Sequence, residues 1–185
     1  MIAARFLKRF KRDQRGSVFI ELGVSMVVLT ILILGGVEIA RFVLLQQKLD
    51  RISSSMGDLV SRGQVLTETE VNNIFAAVVH LAEPFDFAER GAVVLTSVHR
   101  DAGEDVEIIW QRSGAGSLSV TSKIGGDGAA PDLPDNFLVR DNETVFAAEV
   151  FYDFEPILTD RFGNFGQLYH SSWFRARSID QSIFQ

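Results

Sequence analysis

Residues 17–37 read SVFIELGVSMVVLTILILGGV, a stretch in which Glu21 is the only charged side chain. At a rise of 1.5 Å per residue, a helix of this length extends about 31 Å, close to the thickness of a bilayer's hydrocarbon core. The stretch therefore predicts one membrane-spanning helix.

Charge is distributed very unevenly on the two sides of this stretch. Residues 1–16 carry six basic side chains and Asp13, a net charge of +5, whereas residues 17–185 carry 12 basic and 23 acidic side chains, a net charge of −11. A basic flank before an apolar span stays in the cytoplasm, so we expect the C-terminal part on the other side of the membrane. The acidic balance argues against nucleic-acid binding.

A cleaved secretory signal peptide is the main alternative for this segment. Signal peptides have apolar regions of about 7–15 residues followed by a small-x-small cleavage site. The apolar run here is longer, and Leu34 before Gly36 and Glu38 before Ala40 do not supply that pattern. The sequence therefore favours a retained anchor.

Glu21 is unusual because it lies near the start of the apolar stretch. An ionised carboxylate costs about 2.5–3.5 kcal/mol at mid-membrane and less near an interface. Glu21 could lie close enough to the cytoplasmic face to reach water. Alternatively, cleavage between Gly16 and Ser17 would create an ammonium group one helical turn from Glu21. That pair could form within one chain or between neighbouring subunits, where it would set the register of adjacent helices.

The segment Arg15-Gly16-Ser17-Val18-Phe19-Ile20-Glu21 resembles the cleavage region of type IV prepilins. The closer resemblance is to TadE/TadF-like minor pilins of the Tad (tight adherence) system. It also involves Gly35, Gly36, Glu38 and Arg41 at the end of the apolar run, and the ending Trp173-Phe174-Arg175-Ala176-Arg177, in which Ala176 replaces a frequent Pro.

The resemblance implies a precursor in the inner membrane with its head in the periplasm. A prepilin peptidase would cleave after Gly16 and commonly methylate Ser17, and Glu21 would pair with the new terminal amine during assembly. The implied partners are major and minor pilins of a Tad pilus, the inner-membrane assembly platform and the lipid bilayer. Such a subunit would act in pilus assembly or tip capping for adhesion, within or beneath the extracellular filament.

The helical pattern continues beyond the membrane. After the membrane-exit charges Glu38 and Arg41, apolar residues recur at alternating steps of three and four: Phe42, Leu45, Leu49, Ile52, Met56 and Leu59. Such a stripe could face a partner helix in a filament or the protein's own head. Gly57 and the stretch 61–63 should end the helix. The predicted segments are a leader at 1–16, a transmembrane helix at 17–37, its amphipathic continuation at 38–62 and a head at 63–185.

The head has the pattern of an α+β domain. Thr67 and Glu70 form a capping box before a short amphipathic helix that ends by Pro84. Strands are predicted at 92–100, 106–112, 117–124, 144–154 and 168–177, with a hairpin loop at 101–105 and a glycine-rich loop at 125–134. The sequence thus predicts a long N-terminal helix laid on a small antiparallel sheet.

The sequence shows no catalytic constellation. The chain has no cysteine, and His80, His99 and His170 lack metal-ligand spacing. Asp127, Asp132 and Asp135 could surround Ca²⁺, but a solvated acidic loop is favoured. Asp153 and Glu155 should share a strand face, without a visible cleft for acid–base chemistry. We therefore expect no enzyme, metal or cofactor.

Two other classes of function stay open. One is a signal-anchored protein that keeps its leader and presents a periplasmic binding head. The other is an anchored hydrolase, which would need a nucleophile–base pair that the sequence does not display.

Overall fold

The computed structural model describes residues 15–63, 67–135, 137–157 and 166–177. Most of the predicted leader (1–14) lies outside these ranges.

A single helix, α1 (Arg15–Arg62), contains both the apolar stretch and its amphipathic continuation. Its 48 residues correspond to about 72 Å. The first half packs against nothing else in the described structure: its most apolar 18-residue window is 0% buried. One helix near the N-terminus is therefore long and apolar enough to span a membrane.

The second half of α1 packs against the head. Leu45, Leu49, Ile52, Met56 and Val60 are buried in the main core. The predicted stripe was wrong at its last position, because Leu59 is 51% exposed and Val60 is buried instead. A straight helix on a sheet follows its own period of 3.6, not the 3.5 of a supercoiled pair.

Gly57 does not end α1, contrary to the prediction, and the helix continues to Arg62. A Cβ atom built on Gly57 would lie 2.2 Å from Cδ2 of Phe174. Gly57 therefore provides room for an aromatic ring from the sheet, while the end predicted at 61–63 is confirmed.

Two shorter helices follow. Helix α2 (Glu68–Leu81) begins with the predicted capping box, in which Thr67 accepts from the Glu70 backbone N–H and Glu70 accepts from the Thr67 N–H. The Thr67 backbone N–H and hydroxyl both donate to the Glu70 carboxylate and lower its pKa. Helix α3 (Phe87–Arg90) is a single turn capped by Asp86. It leads directly into the sheet.

The sheet has four antiparallel strands, β1 (Gly91–Arg100), β2 (Val106–Gly114), β3 (Glu143–Asp153) and β4 (Gln167–Arg175), in the order β2-β1-β3-β4. Four predicted strands and the hairpin loop at 101–105 are thus confirmed. Helices α1 and α2 cover one face, where the larger core lies. The protein has the predicted α+β fold.

The predicted strand at 117–124 is not formed, and this segment is irregular. Ser117 donates to the Ala88 carbonyl and Leu118 to the Gly91 carbonyl, so the segment leaves the sheet near the start of β1. Ile124 then joins a smaller core with Val98, Ile108 and Ala147. The alternation in this segment comes from covering the sheet face opposite α1, and not from strand pairing.

Candidate functional site

The residues around the predicted cleavage position lie in the exposed first half of α1. Gly16, Ser17 and Glu21 are all exposed, and among the described residues no atom from outside the helix's own backbone lies within 4 Å of a Cβ built on Gly16. Ser17 and Glu21 are four residues apart, so their side chains share one helix face. Among the described residues, no ion pair to Glu21 is formed.

The membrane-exit charges Glu38 and Arg41 lie together where α1 meets the head. Nη1 of Arg41 lies 3.4 Å from Oε1 of Glu38, whose side chain is largely buried. Oε2 of Glu38 accepts a hydrogen bond from the Ile157 N–H at 3.1 Å. Glu38 thus attaches the chain after β3 to α1 at the end of the apolar span, a role that the sequence did not reveal.

A cleft of about 440 Å³ lies beside the contact between Glu38 and Ile157. Arg41 of α1 and Arg90 of α3 contribute its positive charges, and Asp86 and Glu155 contribute its negative ones. Arg90 forms an ion pair with Glu155. Phe85 and Tyr152 form part of the wall, and burial raises the pKa of Tyr152. Sequence analysis missed this cleft because its four charges come from three separate segments.

The far end of the head is fastened to the end of α1. The Arg177 N–H donates to the Ser61 carbonyl at 3.2 Å, and its guanidinium donates to Asp58 at 3.1 Å. A hydrogen bond from Arg62 lowers the pKa of Asp58, and Arg177 adds to the effect. The C-terminal motif at 173–177 therefore contacts the end of α1 through Phe174 and Arg177.

A buried carboxylate, Glu149, lies on β3 and faces away from α1. It is 0% exposed and accepts hydrogen bonds from the Ser122 hydroxyl, the Lys123 backbone N–H and the Tyr169 hydroxyl. These bonds hold segment 117–124 on the sheet. The only sequence signal for this role is one acidic residue within the apolar run of β3.

The other candidate side chains have separate surroundings. His80 lies 3.4 Å from Glu83, His99 hydrogen-bonds Thr144, and His170 hydrogen-bonds Gln46. Glu155 pairs with Arg90 while Asp153 is exposed at the end of β3. In the ranges that the structure describes, no three His, Asp or Glu side chains converge as metal ligands, and Asp127, Asp132 and Asp135 are not brought together as such a group.

Comparisons of the chain with protein-family models, curated proteins and solved structures found no match.

Proposed function

We propose that the chain is a structural minor pilin of a Tad-type pilus. It is inserted in the inner membrane with its N-terminus in the cytoplasm and its head in the periplasm, and a prepilin peptidase cleaves it after Gly16. The observation that carries this proposal is the position of Glu21. It lies on an exposed apolar rod, one turn from Ser17, with no ion-pair partner among the described residues.

Cleavage supplies the missing charge. A carboxylate in hydrocarbon is costly alone, and a terminal ammonium one turn away offsets that cost through a short-range attraction in low dielectric. When helices of several subunits pack together, the amine of one subunit can pair with Glu21 of another. Charge pairs of this kind specify the axial register better than they add net stability.

The attachment of the head supports the same proposal. Contacts along α1 from Glu38 to Ser61 hold the head on the second half of the helix. The first, apolar half is left without contacts to the described head. A subunit built in this way can exchange lipid around its apolar half for the helices of major and minor pilins. Its head can then prime assembly on the inner-membrane platform or cap the filament tip for adhesion.

Mass spectrometry of the N-terminus tests the proposal directly. We expect the chain from its native cells to begin at Ser17, with or without a methyl group on the amine. Gly16→Leu should leave the full precursor in the membrane. Gly23→Leu is the matched control, because Gly23 is equally exposed and also has open space around it, and this variant should be cleaved normally.

An intact leader on the wild-type protein would reject the proposal. The chain would then be a single-pass anchor presenting its head as a binding module.

A further inference from the structure

We propose that the cleft beside Arg41 binds the headgroup of a zwitterionic phospholipid in the leaflet nearest the head. This inference depends on the membrane anchor but not on cleavage after Gly16. It therefore goes beyond the pilin proposal and applies equally to an uncleaved anchor.

The cleft lies just beyond the end of the apolar span, at the height of a lipid headgroup. Arg41 follows Val37 by four residues, which is about 6 Å along the helix axis. The headgroup layer on each side of the hydrocarbon core is about 5–7 Å thick. Arg41 therefore lies at the level of the lipid phosphates when residues 17–37 fill the core. Ile157, 68% exposed at the cleft, offers an apolar side chain at the same level.

The balance of charge is the second argument. The cleft is lined by two arginines, Arg41 and Arg90, and two carboxylates, Asp86 and Glu155. A simple anion would meet as many like charges as opposite ones. A headgroup with both a phosphate and an amine can place the phosphate at the guanidinium groups and the amine at the carboxylates.

The arginines can serve a phosphate without losing their present partners. A guanidinium has five N–H donors in a planar fork. Arg41 already contacts Glu38, and Arg90 already contacts Glu155. Each can keep that carboxylate and present further donors to phosphate oxygens, a geometry that arginine favours.

The size and walls of the cleft fit the same ligand. About 440 Å³ lies within the range of small-molecule sites. Phe85 and Tyr152 stand edge to face with their ring centroids 6.4 Å apart. They give the cleft an aromatic wall, and tyrosine is one of the two residue types enriched at membrane–water interfaces.

Native mass spectrometry of the full chain can measure this binding. The protein would be released from bilayers containing equal amounts of phosphatidylethanolamine and phosphatidylglycerol, and the retained lipids counted. We expect phosphatidylethanolamine to be retained preferentially. The double variant Arg41→Gln/Arg90→Gln should lower its retention about tenfold, since charge-assisted hydrogen bonds are lost.

Two further variants make the result specific. Arg51→Gln/Arg112→Gln removes two cations outside the cleft and should retain lipid as the wild type does. Asp86→Asn/Glu155→Gln removes only the negative charges, while Asn can still cap α3. It should shift the preference toward phosphatidylglycerol, and this reversal tests the proposal even if the arginine variant folds poorly.

Three outcomes of the lipid-retention experiment would overturn the proposal. These are equal retention of both lipids by the wild type, a preference for phosphatidylglycerol in the wild type, and an unchanged preference after removal of Asp86 and Glu155. Equally tight binding of soluble phosphoethanolamine in detergent without lipid would assign the cleft to a free ligand and also reject a lipid site.

Discussion

The Glu38 carboxylate accepts a hydrogen bond from the backbone N–H of Ile157, which lies 119 residues further along the chain. This bond joins α1, at the end of its apolar span, to the segment that follows β3. The rings of Phe42 and Phe154 meet edge to face in the same region, with centroids 5.4 Å apart. The head is therefore attached to α1 where the helix leaves the apolar span.

Replacing Glu38 should loosen this attachment. Glu38→Leu leaves the Ile157 N–H without its acceptor, at a cost of about 1–3 kcal/mol in unfolding free energy. Glu38→Gln keeps a carbonyl oxygen and should cost less. Hydrogen exchange at the Ile157 amide, in the full chain in detergent, measures the effect. Equal protection in the wild type and the Leu variant would contradict it.

Gly57 should respond to substitution in the opposite sense from an ordinary helical glycine. Gly→Ala in an exposed helix interior stabilises by about 1 kcal/mol. At Gly57 the added methyl group meets the Phe174 ring, so Gly57→Ala should instead destabilise the head by about 1–3 kcal/mol.

Chemical denaturation followed by tryptophan fluorescence measures this change. Gly36→Ala is the control, because its added methyl group meets open space. In a chain that already carries Phe174→Ala, Gly57→Ala should lower the free energy of unfolding by less than it does in the wild type. If the two substitutions lowered the free energy of unfolding by additive amounts, the predicted clash between a methyl group at position 57 and the Phe174 ring would be contradicted.

Removal of the Glu149 carboxylate should release segment 117–124. Glu149→Leu leaves three donors unsatisfied, from Ser122, Lys123 and Tyr169, at about 1–3 kcal/mol for each that stays buried. We expect trypsin to cleave after Lys123 much faster in this variant. Glu107→Leu, at an exposed carboxylate on β2, should leave that cleavage slow, and equal rates in the two variants would disprove the role of Glu149.

Stability should fall in strong alkali because of Tyr169. Burial, together with the negative charge of Glu149, raises the pKa of Tyr169 to about 12 from 10.0. The folded state therefore holds the phenol proton more tightly than the unfolded state does. This contribution is complete below pH 10 and is lost as the pH rises toward about 12.

An absorbance titration of tyrosinate, with unfolding curves at each pH, tests this expectation. Tyr169→Phe removes this ionisation and should reduce the loss of stability between pH 10 and about 12, and the part that is left comes from Tyr152, whose pKa is also raised. An ordinary ionisation of Tyr169 near pH 10 in the folded protein would contradict the prediction.

Glu21→Ala should separate cleavage from assembly. The variant keeps Gly16 and Ser17, so the N-terminus should be processed, but the terminal amine loses its intended partner and few filaments should form. Electron microscopy of cells counts them. Asp50→Ala, at an exposed carboxylate outside the apolar span, is the control. Normal piliation in the Glu21 variant would remove the argument that Glu21 sets the register.

Local signals in the sequence were sufficient for the long helix, the capped helix α2 and the four strands, but not for α3 or for segment 117–124. The apolar run from Ser17 to Val37, the capping box of Thr67 and Glu70, and the hairpin at 101–105 depend on neighbouring residues, and each was predicted where it lies. Periodicity, capping and turn formation act over one or two turns of chain, so they can be read without knowing the fold.

Only the tertiary structure decided what lies on each face of these elements. The alternation at 117–124 predicts a strand, but Glu149 on β3 binds the segment as a cover for the sheet. Gly57 predicts a helix end, but Phe174 occupies the space that it leaves. Glu38 and Ile157, like the four charges of the cleft, are brought together only by the tertiary fold. Contacts between residues far apart in the chain leave no periodic trace in the sequence, and packing alone determines them.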